Sequence, residues 1–305
     1  MKSFLNIAVV IPYFGCWPEW IDLFFYSCEK NCMIDFIFYT DCPAPKRHSD
    51  NLIFYNCSFQ EYRKLIGTKL PDVIFPEVPY KLTDLKPFLG YIHHDVLQEY
   101  RYWGFCDLDL VFGDLSLLVN DIRLKQYDVI TSHSYHIAGH FTICKNTPHY
   151  RNLCFQITKW NEKLSSIEHL SLDEGEWSDL VYPRLKYWRC LYHRLFKYFR
   201  IPFHRFLETC NIVFDNKLYF RECYTSPLPK DGEHWEYNPQ MGKVSDPKGK
   251  QLPYLHFLFF KKTRWYDSSC YWEGDYWQIN EPVYNYSCIV LDRRGVRGNK
   301  YSYDT

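Results

Sequence analysis

Asp107 and Asp109 sit one residue apart in GFCDLDLVFGDL, residues 104–115, a run that otherwise reads as a buried strand. Burying charge is costly unless something pairs with it. Side chains alternate along a strand, so the two carboxylates share a face with Val111, about 7 Å apart at the backbone. Cys106, Leu108, Leu110 and Phe112 take the other face. Like charges so placed repel. A divalent cation removes the repulsion, and a ligand phosphate can share that ion. The plainer alternative is a strand end whose aspartates face water or backbone amides, since D-x-D alone is a very short signal. The apolar flanks and the amphipathic run before them favour the metal. Asp114, after Gly113, is expected to be structural.

Other residues have types suited to the same chemistry. His256, in YLHFLFFKKTRW, is either a satisfied core histidine or a ligand. Thr40-Asp41 ends a strand at the carboxyl edge, where open α/β sheets bind ligands; a turn-forming role is equally open to Asp41. Pro12, Tyr13 and Phe14 follow the first strand and can pack on a base. Lys81 and Lys86 precede and open a helical run. Cations there oppose the helix dipole, which favours a phosphate-facing role over a solvated one. Asp173 and Glu174 form an acidic cluster suited to a general base, or an ordinary helix start. His133 and His136 read as loop residues.

These groups need elements to hold them. NIAVVIPYFG (6–15), MIDFIFYTD (33–41) and NLIFYNC (51–57) read as buried strands, and 18–31 as a helix. That order predicts an α/β sheet, largely parallel at its start. Apolar positions 85, 88, 89, 92, 96, 97 and 100 predict one helix over 83–102, capped by Asp84, with Pro87 in its first turn. YDVIT (127–131) and HFTIC (140–144) predict further strands. Residues 145–210 read as mainly helical, 227–253 as a long loop or hairpin, 254–262 as a late strand and turn, and 263–305 as irregular and aromatic. The segment 184–206 is basic and aromatic, which suits a membrane surface or arginine stems covering a core.

Composition narrows the function classes. The chain has 305 residues and zero formal net charge, enough for one large domain but without the basic excess that nucleic-acid binding needs. At 47 % hydrophobic it is not a disordered chain. Its 13 cysteines include no CxxC pair, so reduced thiols in a cytosolic protein are expected rather than disulfides or a zinc site. No stretch approaches 18 apolar residues, and the start lacks a leader's long apolar region.

VVIPYFG, YTD, KLTDLKPFLGYI and YWGFCDLDLVFGDL, in this order, resemble nucleotide-sugar-dependent glycosyltransferases of the GT-A fold. The last two resemble a bacterial polysaccharide-type family. The resemblance spans about residues 5–145 plus a short C-terminal motif. It implies a single domain, 1–305, with a Rossmann-like mixed sheet flanked by helices. Residues 1–145 then form the nucleotide-sugar-binding part, and 146–305 the acceptor-side helices and the C-terminal motif.

The resemblance also implies a metal and a donor site. Asp107 and Asp109 hold Mn²⁺ or Mg²⁺, and the ion bridges the diphosphate of a UDP-sugar as a Lewis acid. His256 with a downstream lysine is similar to a motif of retaining GT-A enzymes, which implies His256 as third metal ligand and a lysine on the diphosphate. Leu258, Phe259, Phe260 and Lys261-Lys262-Thr263 depart from that motif, so both Lys261 and Lys262 are carried forward. Asp41 then bonds uracil or ribose, and Gly139 and His140 line the donor sugar. The donor-side set is Pro12, Tyr13, Asp41, Lys81, Lys86, Asp107, Leu108, Gly139, His140, Lys261 and Lys262, with Asp173 and Glu174 as catalytic candidates. The expected reaction is hexosyl transfer, galactosyl and retaining by resemblance, to an oligosaccharide or lipid-linked surface glycan at the inner face of the membrane. The alternatives are a Mg²⁺-dependent nucleotidyltransferase, for which the first loop is poor in glycine, and a non-catalytic carbohydrate-binding protein.

Overall fold

The computed structural model describes residues 6–133, 136–195, 218–220, 225, 230, 232–258, 260 and 276–300. Strand β1 (Ile7–Pro12), helix α1 (Ile21–Glu29), β2 (Ile34–Thr40), β3 (Leu52–Asn56), helix α2 (Phe59–Lys69) and β4 (Tyr102–Cys106) open the chain. β1 pairs in parallel with β2 and β4, and β2 with β3. β5 (Leu110–Phe112), β6 (Val129–Thr131) and β7 (Phe141–Lys145) follow, with β8 (Leu218–Phe220) later. β7 runs antiparallel to both β4 and β6, and β8 is parallel to β6. The result is a mixed seven-stranded sheet in the order β3-β2-β1-β4-β7-β6-β8.

The pleat of β1 divides the core. Ile7, Val9 and Ile11 pack with Phe24 and Phe25 of α1 on one face, while Ala8 and Val10 pack with Tyr62 and Ile66 of α2 on the other. Both faces are therefore covered, which is why these strands read as unbroken apolar runs. α2 was not anticipated from the sequence. Its signal is Ser58-Phe59-Gln60-Glu61, whose serine and glutamate close a reciprocal capping box.

Three expectations change. The helix over 83–102 is instead a 3₁₀ stretch, Pro79–Phe88, followed by two α-turns, Leu89–Ile92 and His94–Leu97. Pro87 removes a backbone donor near the end of the stretch. Gly90 packs so close to Trp103 that an added Cβ would fall 2.4 Å from the indole. Asp84 is no cap but a buried carboxylate inside the stretch. Secondly, GFCDLDLVFGDL is not one strand. β4 ends at Cys106, and β5 leaves the main sheet to pair antiparallel with β12 (Tyr254–His256).

Thirdly, the C-terminal region is not irregular where it is described. β9 (His234–Asn238), β10 (Lys243–Ser245), β11 (Gln251–Leu252), β13 (Trp277–Gln278), β14 (Tyr286–Asp292) and β15 (Gly295–Lys300) form a second sheet, in the order β11-β10-β9-β14-β15-β13. Ile289, Leu291 and Val296 point into its core, which also takes Leu23 of α1 and Val111 of β5. The sheet therefore docks on the segment that carries the aspartates. Helix Pro183–Leu195 covers the start of the basic segment. The rest, 196–206, including Lys197, Arg200 and Arg205, lies outside the described residues, as do Lys261 and Lys262. No helix among the described residues is long and apolar enough to cross a membrane, and no described cysteine is in a disulfide.

Candidate metal centre

A cavity of about 990 Å³ opens where β1 and β4 end, lined by Pro12, Tyr13 and Phe14 on one side and Asp107, Leu108 and Asp109 on another. This is the carboxyl edge of the parallel strands, the position at which open α/β sheets collect ligands.

The aspartates reach it from a chain break, not from a pleated face. Asp107-Leu108-Asp109 connects two strands that belong to different sheets. Trp20 pins the connection by donating its indole N–H to the Leu108 carbonyl at 2.9 Å. The Asp107 N–H donates to the His140 carbonyl at 3.0 Å, and the Phe257 N–H to the Asp109 carbonyl at 3.1 Å. The β5–β12 pairing sets His256 opposite Leu110, next to Asp109. One ligand atom from each of Asp107, Asp109 and His256 lies within 4.8 Å of the other two.

This donor set fits a hard divalent cation. Two carboxylates this close repel each other, Asp109 is buried, and an ion resolves the repulsion. His256 Nδ1 is 2.8 Å from Thr225 Oγ1, and Nε2 is 3.3 Å from Asp109 Oδ2. One ring nitrogen is thus held by a neighbour while the other meets the carboxylates, the usual disposition of a ligating histidine. The ring also stacks on His140, centroids 4.1 Å apart. His140 is in turn 3.0 Å from the Tyr254 hydroxyl, two residues along the same strand as His256. Burial, and then the neighbouring His256, keep the His140 ring well below the usual histidine range.

Behind the aspartates lies a second charged group. Lys86 Nζ donates to Asp107 Oδ1 at 2.6 Å and to the Gly139 carbonyl at 2.9 Å, and stands 3.7 Å from Asp173 Oδ2. Burial by itself would lower the Lys86 pKa. Asp107 and Asp173 reverse that, and the ammonium is held above the usual lysine range. Burial pushes Asp173 up to about 6; Lys86 pulls it down, while Glu174 and Asp107 add to the rise. Burial raises Glu174 as well, again opposed by Lys86. Gly139 separates these groups by donating its N–H to Glu174 Oε1 at 3.2 Å. A Cβ there would fall 2.6 Å from Asp173 Oδ2.

The cavity wall thus gathers Pro12, Tyr13, Lys86, Asp107, Leu108, Asp109, His140, Glu174 and His256. Gly139 and Asp173 are outside the lining and support it from behind. Gly139 was expected to line the donor sugar, and two further expected donor-side residues do not reach the cavity either. Asp41 accepts the Gly15 N–H at 2.8 Å and so shapes the loop after β1. Lys81 is fully buried on Asp84 at 2.9 Å, because the 3₁₀ stretch turns it inward. Sequence reasoning missed Trp20, Tyr80, Thr83, His169 and Ser171 in the lining. Trp20 falls in 18–31, whose pattern reads only as a helix. Thr225, 31 residues before His256, carries no local signal at all. Asp114 caps the short turn Leu115–Leu117, a structural role as expected.

No curated protein matches this chain. Residues 9–272, which hold every group just described, do match DUF6625, and the chain belongs to that family, described as one of unknown function.

Proposed function

We propose that the protein is a divalent-metal-dependent glycosyltransferase that moves a hexose from a UDP-sugar to a glycan acceptor. The observation that carries this reading is the Asp107–Asp109–His256 group at the edge of a cavity of about 990 Å³, beside the ends of β1 and β4. A bound Mn²⁺ or Mg²⁺ would supply Lewis acidity toward a leaving diphosphate. The chain's own residues do the rest. Lys86 holds one oxygen of Asp107, which fixes that carboxylate's rotation. Thr225 and His140 fix the His256 ring from two sides. Pro12 and Tyr13 offer an apolar wall for a base, and Tyr13 is braced by stacking on Trp17 at 5.1 Å. Glu174 is the cavity-facing member of the acidic pair. Its raised pKa suits it to take the proton of an attacking hydroxyl.

The test is thermal stabilisation with UDP, with MnCl₂ and with both, followed by UDP release across a panel of UDP-sugars. Stabilisation should require both ligands and disappear in Asp109→Asn. If UDP acts without metal and Asp109→Asn behaves as the parent, the reading fails. Release of pyrophosphate from a nucleoside triphosphate would assign nucleotidyl transfer instead.

A further inference from the structure

The cavity has a wall that neither the metal group nor the acidic pair uses. Pro79, Tyr80 and Thr83 supply it from one segment, and His169 and Ser171 from another. The Tyr80 and His169 rings meet edge to face at 5.1 Å. Tyr80 nevertheless leaves 46 % of its surface exposed.

This wall is held rigidly. The Lys81–Asp84 pair lies beneath it, with both side chains inaccessible to solvent. Lys81 also donates to the Glu168 carbonyl at 2.5 Å. Asp84 accepts the Leu170 N–H at 2.9 Å and the Leu172 N–H at 3.1 Å. A fully buried ion pair is an expensive way to gain stability, whereas it fixes one geometry well. What it fixes here is the loop 168–172 against the stretch 79–84. Ser171, in the middle of that loop, has φ of +50°, a left-handed conformation uncommon for serine. Backbone strain of this kind collects where a site needs it.

Just before these two segments, and at Leu170 within the second, the chain exposes aliphatic side chains. Ile74 is 82 % exposed and Ile167 72 %, and Val78 and Leu170 are also exposed. The Ile74 N–H donates to Ser165 Oγ at 3.1 Å, so these residues lie on neighbouring stretches. Exposed aliphatic side chains grouped on two neighbouring stretches beside a polar cavity suit a binding surface. The cavity itself is near the top of the ~300–1,000 Å³ range of small-molecule sites, room for more than one ligand.

We propose that this wall is a subsite for an amphiphilic glycoside, with the sugar ring on Tyr80 among the Thr83 and Ser171 hydroxyls and an aliphatic aglycone along Ile74 and Ile167. The stretches that carry these side chains run side by side into the wall, joined at Ile74–Ser165, Lys81–Glu168 and Tyr80–His169, and that placement selects one ligand that has both parts. Glu77 and Glu168 beside the strip disfavour the surface of an anionic bilayer. Naming this ligand the acceptor rests on the transferase reading; binding of a glycoside does not.

The experiment is calorimetric titration with octyl and methyl β-glucopyranoside and β-galactopyranoside, below micellar concentrations, with EDTA and without nucleotide. The octyl compounds should bind about tenfold tighter or more, as burial of their methylenes requires. Ile74→Ser/Ile167→Ser, two exposed positions, should abolish that chain-length advantage and leave UDP–Mn²⁺ stabilisation intact. Tyr80→Ala should weaken octyl and methyl glycosides alike. Absent binding, equal affinity for both chain lengths, or an advantage that survives the double variant overturns the proposal. A concentration-dependent dimer that the double variant dissociates also overturns it, and assigns the strip to a second copy of this chain. Glycoside binding without cooperative UDP–Mn²⁺ stabilisation would refute the transferase reading alone.

Discussion

Replacing Lys86 with methionine keeps the stem and removes an ammonium that stands among three carboxylates. Breaking a buried ion pair commonly costs about 3–5 kcal/mol. Here the loss is smaller, because the partners differ in exposure and one of them can protonate. The Asp107 side chain is 35 % exposed, so its bond to Lys86 is screened by water and contributes about 1 kcal/mol or less. Asp173 is the partner that matters, with a side chain only 6 % exposed. Its carboxyl, ordinarily near 3.8, is raised to about 6. The folded protein therefore holds a proton that the unfolded chain releases, and stability falls as pH rises from about 4 to about 6. In the parent this decline ends near pH 6, where Asp173 ionises beside Lys86.

In Lys86→Met the Glu174 N–H still donates to Asp173, but the largest influence favouring ionisation is gone, and the decline continues. Each further pH unit costs about 1.4 kcal/mol, so the variant should lose about that much more than the parent between pH 6 and pH 7. Below pH 6 Asp173 is protonated in both, and its share of the difference vanishes. The measurement is urea unfolding of both proteins with EDTA at pH 5, 6 and 7, followed by tryptophan fluorescence. A deficit that is equal at pH 5 and pH 7 would mean that lost packing, not charge, explains the variant. A deficit that grows toward acid pH would refute the coupling of Lys86 to Asp173.

Four other outcomes follow. Asp109→Asn and His256→Ala should each abolish measurable Mn²⁺ binding in calorimetry while unfolding cooperatively, since each removes a ligand. Thr225→Ala leaves the His256 ring unheld at Nδ1 and should weaken Mn²⁺ about tenfold without abolishing it, as loss of an outer-shell partner usually does. Gly139→Ala drives a methyl group to 2.6 Å from Asp173 Oδ2 and 3.0 Å from Glu174 Oε1, and should cost about 1–3 kcal/mol in urea unfolding. Lys81→Met leaves Asp84 charged and buried, and should cost about 3–5 kcal/mol, with accelerated hydrogen exchange confined first to Leu170 and Leu172.

The parts of the fold that local pattern could reveal were those whose burial is two-sided and short-range. β1, β2, β3 and α1 each carry their own signal, and the parallel pairing follows from their order. The aspartate pair was found through an argument that the structure replaces. A pleated strand would have aimed Asp107 and Asp109 the same way; in fact the chain leaves one sheet for another between them. The metal reading does not rest on the alternation: it needs two carboxylates close together, which the connection between the sheets also provides, and it stands as part of the proposed function. Lys81 failed for a related reason. It reads as a cation just before a helix capped by Asp84, but the 3₁₀ stretch begins earlier, at Pro79, and turns both residues into the core. The β14–β15 hairpin was missed because its apolar alternation, Ile289, Leu291 and Val296, is interrupted by Asp292-Arg293-Arg294 at the turn.

Histidine 256 is the instructive case, because no spacing in the chain connects it to Asp109. They meet only because β12 pairs with β5, a contact across about 145 positions that local periodicity cannot express. The same pairing puts Tyr254 under His140 and His140 under His256, so one strand supplies both the ring that meets the carboxylates and the hydroxyl that steadies its support. Around that ring the charges do not balance. Asp107, Asp109 and Glu174 face the cavity, and Lys86, the cation at its wall, is already bound to Asp107. Among the described residues, a diphosphate approaching this wall by itself meets like charge at a short distance and no ammonium that is not already bound to a carboxylate. Under the proposed function the ion must therefore arrive with the nucleotide or before it. Requirement for both ligands together then follows from the charge of the described wall, and the UDP–Mn²⁺ experiment tests the electrostatics as directly as it tests the activity.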